Sequence, residues 1–592
     1  MSTRSDVVAA ARGDQPFDLL IQNTQLVNVL TGTIYAADIG IRGNRIALAM
    51  PVGAIDWSAA QTAGQEIAAE VIDGAGTWAV PGFVDGHVHN ESSMCTPARW
   101  AEVIMPRGTT TVCTDPHEIG NVLGLDGVRY MLAASEGLPL RYFVTAPSCV
   151  PAVPSVETAG AEFAGPEADE MLSWERVVAI AEAMDYPGLI AQSGNVTPIV
   201  EAGHRADVPI EGHAPTVGDR PLQAYLAAAG PRSSDHEEVF TDTMVQKVQG
   251  GMMIYARAST FMDGSGEVAA AMERVNDTRL FGICTDDVMP HHLLGDGHMD
   301  YGMRCLLARG VDPVKVVQMA TINVAQHYGL WGLGAIAPGW LADVVLLDDL
   351  ESVRVRDVIA DGQVVVRDGA LAVAIAEPTP PMVGGTVRLP ALSEDSFRMA
   401  APVADGAATA NAIDMTQLFT ELTTVEVACE GGRVALPLPE GVTLAAIVPR
   451  HGQGTPPSLA LLAGYPLARG AIASTISHDS HNLAIIGKDP GDMLRAAQAL
   501  AECGGGMVAV EAGEVIGCLP LPIAGLMSPD PVAVTAERLA ALEAALPRLG
   551  LPAAFPMAVL ALALPVFPRV RLTDKGLVDV ATQQFVALFV EG

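Results

Sequence analysis

Between about residue 78 and residue 330, short apolar runs alternate with helical segments, and this repetition restricts the fold more than any other feature. The runs fall at 109–114, 142–146, 177–181, 189–191, 252–256 and 280–285. A strand buried on both faces reads as a continuous apolar run, as strands of a parallel sheet do. Strand–helix alternation sustained over roughly 250 residues is the span of a (β/α)8 barrel. The expected fold class is therefore α/β, with a TIM-like barrel over 78–333. Several runs end in His, Asp or Glu, and in such barrels the strand C-termini build the active site.

The flanks read differently. Residues 18–50 alternate apolar and polar, broken at Thr31-Gly32 and Gly43-Asn44, which predicts a small antiparallel sheet continued by 71–77. Residues 334–348 read as strand, turn, strand, and 358–366 as a hairpin around Asp361-Gly362. Segments 1–77 and 334–385 are expected to pack together as one small β domain. Pro378, Pro380 and Pro381, followed by Gly384-Gly385, mark a linker. Residues 395–592 read as a separate C-terminal α+β domain, in which the Leu spacing of 536–549 predicts a helix buried along one stripe.

Composition excludes several function classes. The 592-residue chain carries a formal charge of -34, which repels nucleic-acid phosphates and anionic membrane surfaces and suits a neutral or cationic small molecule. Its 8 cysteines are scattered without a CxxC pair, as in a reducing compartment. The N-terminus leads into no apolar leader, and the apolar stretch 557–564 is too short to span a bilayer. A cytoplasmic protein without nucleic-acid or membrane partners is expected.

The chemistry gathers at the strand ends. His87 and His89 sit two apart after an apolar run, so in a strand both imidazoles face the same way and could hold a divalent ion. Downstream come Asp115, His117 and Glu118, then Glu182, then His213, then Asp235-His236-Glu237-Glu238, and finally Asp286-Asp287. A His pair, a carboxylate, two single His and a late Asp is the layout of a metal-dependent hydrolase barrel. Ser477-His478-Asp479-Ser480-His481-Asn482 contains Ser, His and Asp. Triad members usually converge from distant positions, however, and no G-x-S-x-G elbow is present.

Several stretches together resemble the adenine deaminase family of the amidohydrolase superfamily. They are Pro81 to Met94 (PGFVDGHVHNESSM), Arg107 to Glu118 (RGTTTVCTDPHE), Pro147 to Ala152, Met184 to Gly188, Cys284 to Asp287, Ser477 to Asn482, Gly504 to Gly506 and Leu519 to Ser528. The resemblance covers nearly the whole chain. It implies two divalent ions, manganese or iron with zinc as a further option. His87 and His89 would hold one ion, His213 and His236 the other, and Glu182 would bridge them in place of a carboxylated lysine. Asp286 would touch a metal and take the proton of the activated water, whose hydroxide attacks C6 of adenine to give hypoxanthine and ammonia, a purine-salvage reaction.

The resemblance further makes His117, Glu118 and Glu237 candidates for the proton relay or for gripping the purine, with Asp115 orienting His117. Glu91 and the loop residues His478, Asp479 and His481 are the expected substrate-binding set, and a homodimer is the expected assembly. Three departures stand out. Arg257-Ala258-Ser259 lacks the family's Glu after Arg, Val288 to His292 replaces polar residues, and Asn90 replaces an aliphatic one. They leave room for another aminopurine, such as N6-methyladenine. A non-catalytic scaffold would lack ligands, and here the set is complete.

Overall fold

In a computed structural model, residues 3–62, 66–378, 383–416 and 420–590 are described. At its centre are strands β1 (Phe83–Val88), β2 (Thr109–Thr114), β3 (Arg141–Pro147), β4 (Val177–Ala183), β5 (Ile210–Gly212), β6 (Ser234–Asp235), β7 (Met253–Arg257) and β8 (Phe281–Cys284). β1 to β5 pair in order as one parallel sheet, and β6 to β8 as another. Single parallel bridges join the two sheets at both seams, Ile210 with Ser233 and Val88 with Asp286, so the pairing runs in a ring.

Every residue of β1 and β2 is buried, and β2 coincides with the run expected at 109–114. Helices connect successive strands and turn one face inward. Val196–Ala206, for instance, buries Ile199, Val200 and Gly203. A Cβ on Gly203 would lie 2.6 Å from Ile210 and 2.7 Å from Ile180, so only glycine lets this helix approach β4 and β5 so closely.

Three local expectations need correction. Residues 189–191 belong to the helix Tyr186–Ala191, not to a strand: Asp185 caps it by accepting the Gly188 N–H at 2.9 Å, and a proline occupies its first turn. The flanking sheet is mixed, because Phe17–Asn28 pairs parallel with both Ala68–Asp73 and Trp78–Pro81. Residues 334–341 form turns, with Gly334 and Gly339 in left-handed backbone around a proline, and the strand begins only at Val344–Asp349.

That flanking sheet has nine strands and draws on both sides of the ring. Trp78–Pro81 lies between Phe17–Asn28 and Val344–Asp349. The proline-rich linker expected at 378–381 lies outside the described residues from 379 onward.

The C-terminal segment builds a second nine-stranded sheet, covered by the helix Pro490–Cys503 through Met493, Ala496, Ala497 and Leu500. Leu539, Leu542, Leu546 and Leu549 are all buried, as their spacing predicts. Two central strands of this sheet, Ala471–Ser474 and Leu483–Gly487, are joined by the segment 475–482, which extends to the residues after β2.

Candidate metal centre

The strand ends bring His87, His89, Glu182, His213, His236 and Asp286 together, all but His213 below a tenth exposed. Asp286 is locked into the β1–β8 seam, donating its backbone N–H to the His87 carbonyl at 3.0 Å and accepting the His89 N–H at 3.2 Å. Its backbone is left-handed, with φ of 56°, a conformation that Asp tolerates better than most residues.

The two oxygens of Glu182 face different histidine pairs. Oε1 lies 3.7 Å from His87 Nε2 and 3.5 Å from His89 Nε2, whereas Oε2 lies 3.0 Å from His213 Nδ1 and 3.2 Å from His236 Nε2. The Nε2 atoms of His87 and His89 approach each other to 3.2 Å, and Asp286 Oδ1 stands 3.8 and 3.2 Å from them. Imidazole nitrogens converging on one another and on shared carboxylate oxygens are a donor set suited to divalent ions. His89 Nδ1 lies 3.0 Å from the Asp115 carbonyl oxygen. Only a protonated Nδ1 bonds there, which leaves the Nε2 lone pair for the centre. The residues present therefore fit divalent cations, which His87 with His89 and His213 with His236 could hold on either side of Glu182.

Charge follows the same logic. Burial opposes ionisation of Glu182, but His236 and His213 outweigh it and hold the carboxyl well below its usual range. Burial likewise opposes ionisation of Asp286, and Arg257 and His89 outweigh it. Arg257 forms ion pairs with both Asp286, its Nε lying 2.8 Å from Oδ2, and Glu237, while its Nε–H donates to Ser259 Oγ at 3.3 Å.

The 477–482 segment adds a second layer. His117 stands between Asp115, 2.8 Å from Nδ1, and Asp479, 3.4 Å from Nε2. His478 Nδ1 is 3.4 Å from Asp479 and 3.8 Å from Glu118, and His481 is 4.0 Å from Glu118. Burial works against a charged His478, yet Asp479 and Glu118 outweigh it and raise its pKa to about 9. Glu91 accepts the Ile119 N–H at 3.3 Å, and burial beside Glu118 pushes its pKa up to about 8.

Arg450, fully buried, holds this segment from behind. It donates to the His481 carbonyl and, at 3.1 and 3.2 Å, to that of Ala524, while His451 Nε2 lies 2.8 Å from the Ser480 carbonyl oxygen. The buried Ser477 hydroxyl has no hydrogen-bond partner, so no nucleophilic triad forms there.

All the expected site residues thus converge. Reading the sequence missed roles for Arg257, Asp287, Ser92 and Asp85. Ser92 Oγ is 3.1 Å from Glu118 and 2.5 Å from Asp287. Asp85 accepts the Thr285 hydroxyl at 2.5 Å, and its position two before His87, on the same strand face, was the available signal. Of the departures, Asn90 is structural: it donates to the Cys95 carbonyl at 2.9 Å and accepts the Tyr142 hydroxyl at 3.1 Å, fastening the turn after His89. His292 pairs with Asp296 at 3.2 Å, on the helix Pro290–Gly295.

The amidohydrolase family model matches residues 78–365, and the adenine deaminase C-terminal domain model matches 417–584. The ring of strands and helices is therefore that of an amidohydrolase. Over 589 residues the chain is 39% identical to the adenine deaminase of Methanothrix thermoacetophila, covering 99% of each protein. It is 40% identical over 587 residues to that of Moorella thermoacetica, covering 98% of this chain and 96% of the relative. It is also 40% identical over 595 residues to adenine deaminase 2 of Rhizobium meliloti, covering 98% and 95%. The chain belongs to the adenine deaminase family.

Proposed function

We propose that this protein hydrolyses adenine to hypoxanthine and ammonia at a two-ion centre in the mouth of a (β/α)8 barrel. The observation that carries the reading is Glu182, whose two oxygens face separate histidine pairs. His87 and His89 would hold one ion, His213 and His236 the other, with Asp286 beside the first. Manganese or iron suits this mixed imidazole and carboxylate ligation, and zinc is the competitor. When bound, such ions lower the pKa of a water toward neutrality and so supply a nucleophile.

The chain's own residues do the rest. Asp286, kept ionised by Arg257, accepts the proton of the attacking water. Glu118 faces His478 and His481 of the 477–482 segment, and there Glu118 or His117 passes a proton to the ring nitrogen beside C6, with Glu91 next to Glu118. His478, Asp479 and His481 cover the purine. Within this reading the units are 1–77 with 334–385, 78–333 and 395–592. Among the described residues no helix is long and apolar enough to cross a membrane. The 8 free cysteines suit the cytoplasm.

Ammonia release from adenine by metal-loaded protein, abolished in His87→Ala, is the expected result. Methylamine release from N6-methyladenine, with no ammonia release from adenine, would overturn the substrate and keep the site.

A further inference from the structure

Lys247 is fully buried, and its ammonium group makes three contacts: the Ala214 carbonyl at 2.7 Å, Asp235 Oδ2 at 2.5 Å and Glu238 Oε2 at 2.6 Å. Those partners are neighbours of the second histidine pair. Ala214 follows His213, while Asp235 and Glu238 flank His236-Glu237. The carboxylates extend the link, since Asp235 Oδ1 accepts the N–H groups of Ala214 at 3.2 Å and Glu237 at 3.0 Å. Glu238 accepts the N–H groups of Thr216 at 3.1 Å and of Val239 and Phe240 at 3.0 Å.

The place where this happens is the weakest part of the ring. β5 and β6 have three and two residues, and the single bridge between them, Ile210 with Ser233, lies before both histidines. No backbone ladder therefore fixes His213 relative to His236. A buried ammonium with two carboxylates costs desolvation and is a poor source of stability, but it fixes geometry where several hydrogen bonds converge.

We infer that Lys247, on the helix Thr241–Gln249, is a positioning residue that clamps the β5 and β6 ends together and so sets the spacing of His213 and His236 for one of the two ions. The inference rests on the two-ion reading above. Lys247 touches neither substrate nor ion, and acts through Asp235, Glu238 and the Ala214 carbonyl.

The test is metal content and affinity, read apart from turnover. Wild-type protein, Lys247→Met and Glu238→Gln are loaded with manganese, dialysed against graded chelator, and assayed for ions per chain by elemental analysis. Lys247→Met is expected to keep one ion as the wild type does and to bind the other about 10–100-fold more weakly, the range for losing an outer-shell partner. Glu238→Gln preserves shape, keeps the protein folded if Lys247→Met does not fold, and is expected to weaken the same ion in the same direction. Two ions held with wild-type affinity in a folded variant would overturn the clamp alone. Fewer than two ions in the wild type would overturn the two-ion reading, and the clamp with it.

Discussion

His89 and Asp286 are joined twice: the His89 backbone N–H donates to the Asp286 carbonyl at 3.2 Å, and His89 Nε2 lies 3.2 Å from Asp286 Oδ1. The first and last strands of the ring thus bring an ion ligand and a base candidate into fixed register. Asp286→Asn keeps the backbone bond and the side-chain shape but removes the proton acceptor. Its turnover of adenine should fall about 10²–10⁴-fold, the usual worth of a general base, with a melting temperature close to wild type. Ammonia release and calorimetry on the same preparation check both halves.

Glu182→Gln replaces the carboxylate proposed as the bridge by a neutral amide. It should lose at least one ion per chain by elemental analysis, and adenine turnover should fall more than about 100-fold. Chelation of the wild type should abolish activity, and added manganese should restore it. Retention of both ions in the variant would count against the bridge.

His478 gives a pH dependence. Its pKa is raised to about 9, so its cation, and the stability that cation contributes, are fully present below the ordinary histidine value of 6.5. Both are lost as pH rises through about 9. kcat/KM for adenine should therefore decline above pH 9, and His478→Asn should lower the plateau and remove this limb from the profile.

Asn90→Val keeps a side chain of similar size but strands the Tyr142 hydroxyl and the Cys95 carbonyl. Each buried group left unpaired costs about 1–3 kcal/mol, so chemical denaturation should shift to lower denaturant with the metal content unchanged.

What was legible in the sequence follows from what leaves a local trace. β2, β3, β4, β7 and β8 coincide with the strand-like runs, and His87-Val88-His89 shows its shared face by spacing alone. β5 and β6 were silent because strands of three and two residues have no periodicity to read. The apolar stretch 189–191 misled because Asp185 and Pro187 decide its conformation from outside the run. Arg257 was visible as a residue but not as a partner. Its contacts with Asp286 and Glu237 arise only when strand ends distant in sequence meet. Lys247 was hidden for the same reason, since a lysine on a helix reads as solvated until its neighbours are known.

The reach of Asp479 to His117 has a consequence for how the protein comes into being. A ribosome releases every expected ion ligand by the time Asp286 has emerged, long before Asp479 is made. The expected ligands are thus made before the segment that covers them, and the roof over the strand ends is completed only by the second sheet, whose strands hold 475–482 at both ends.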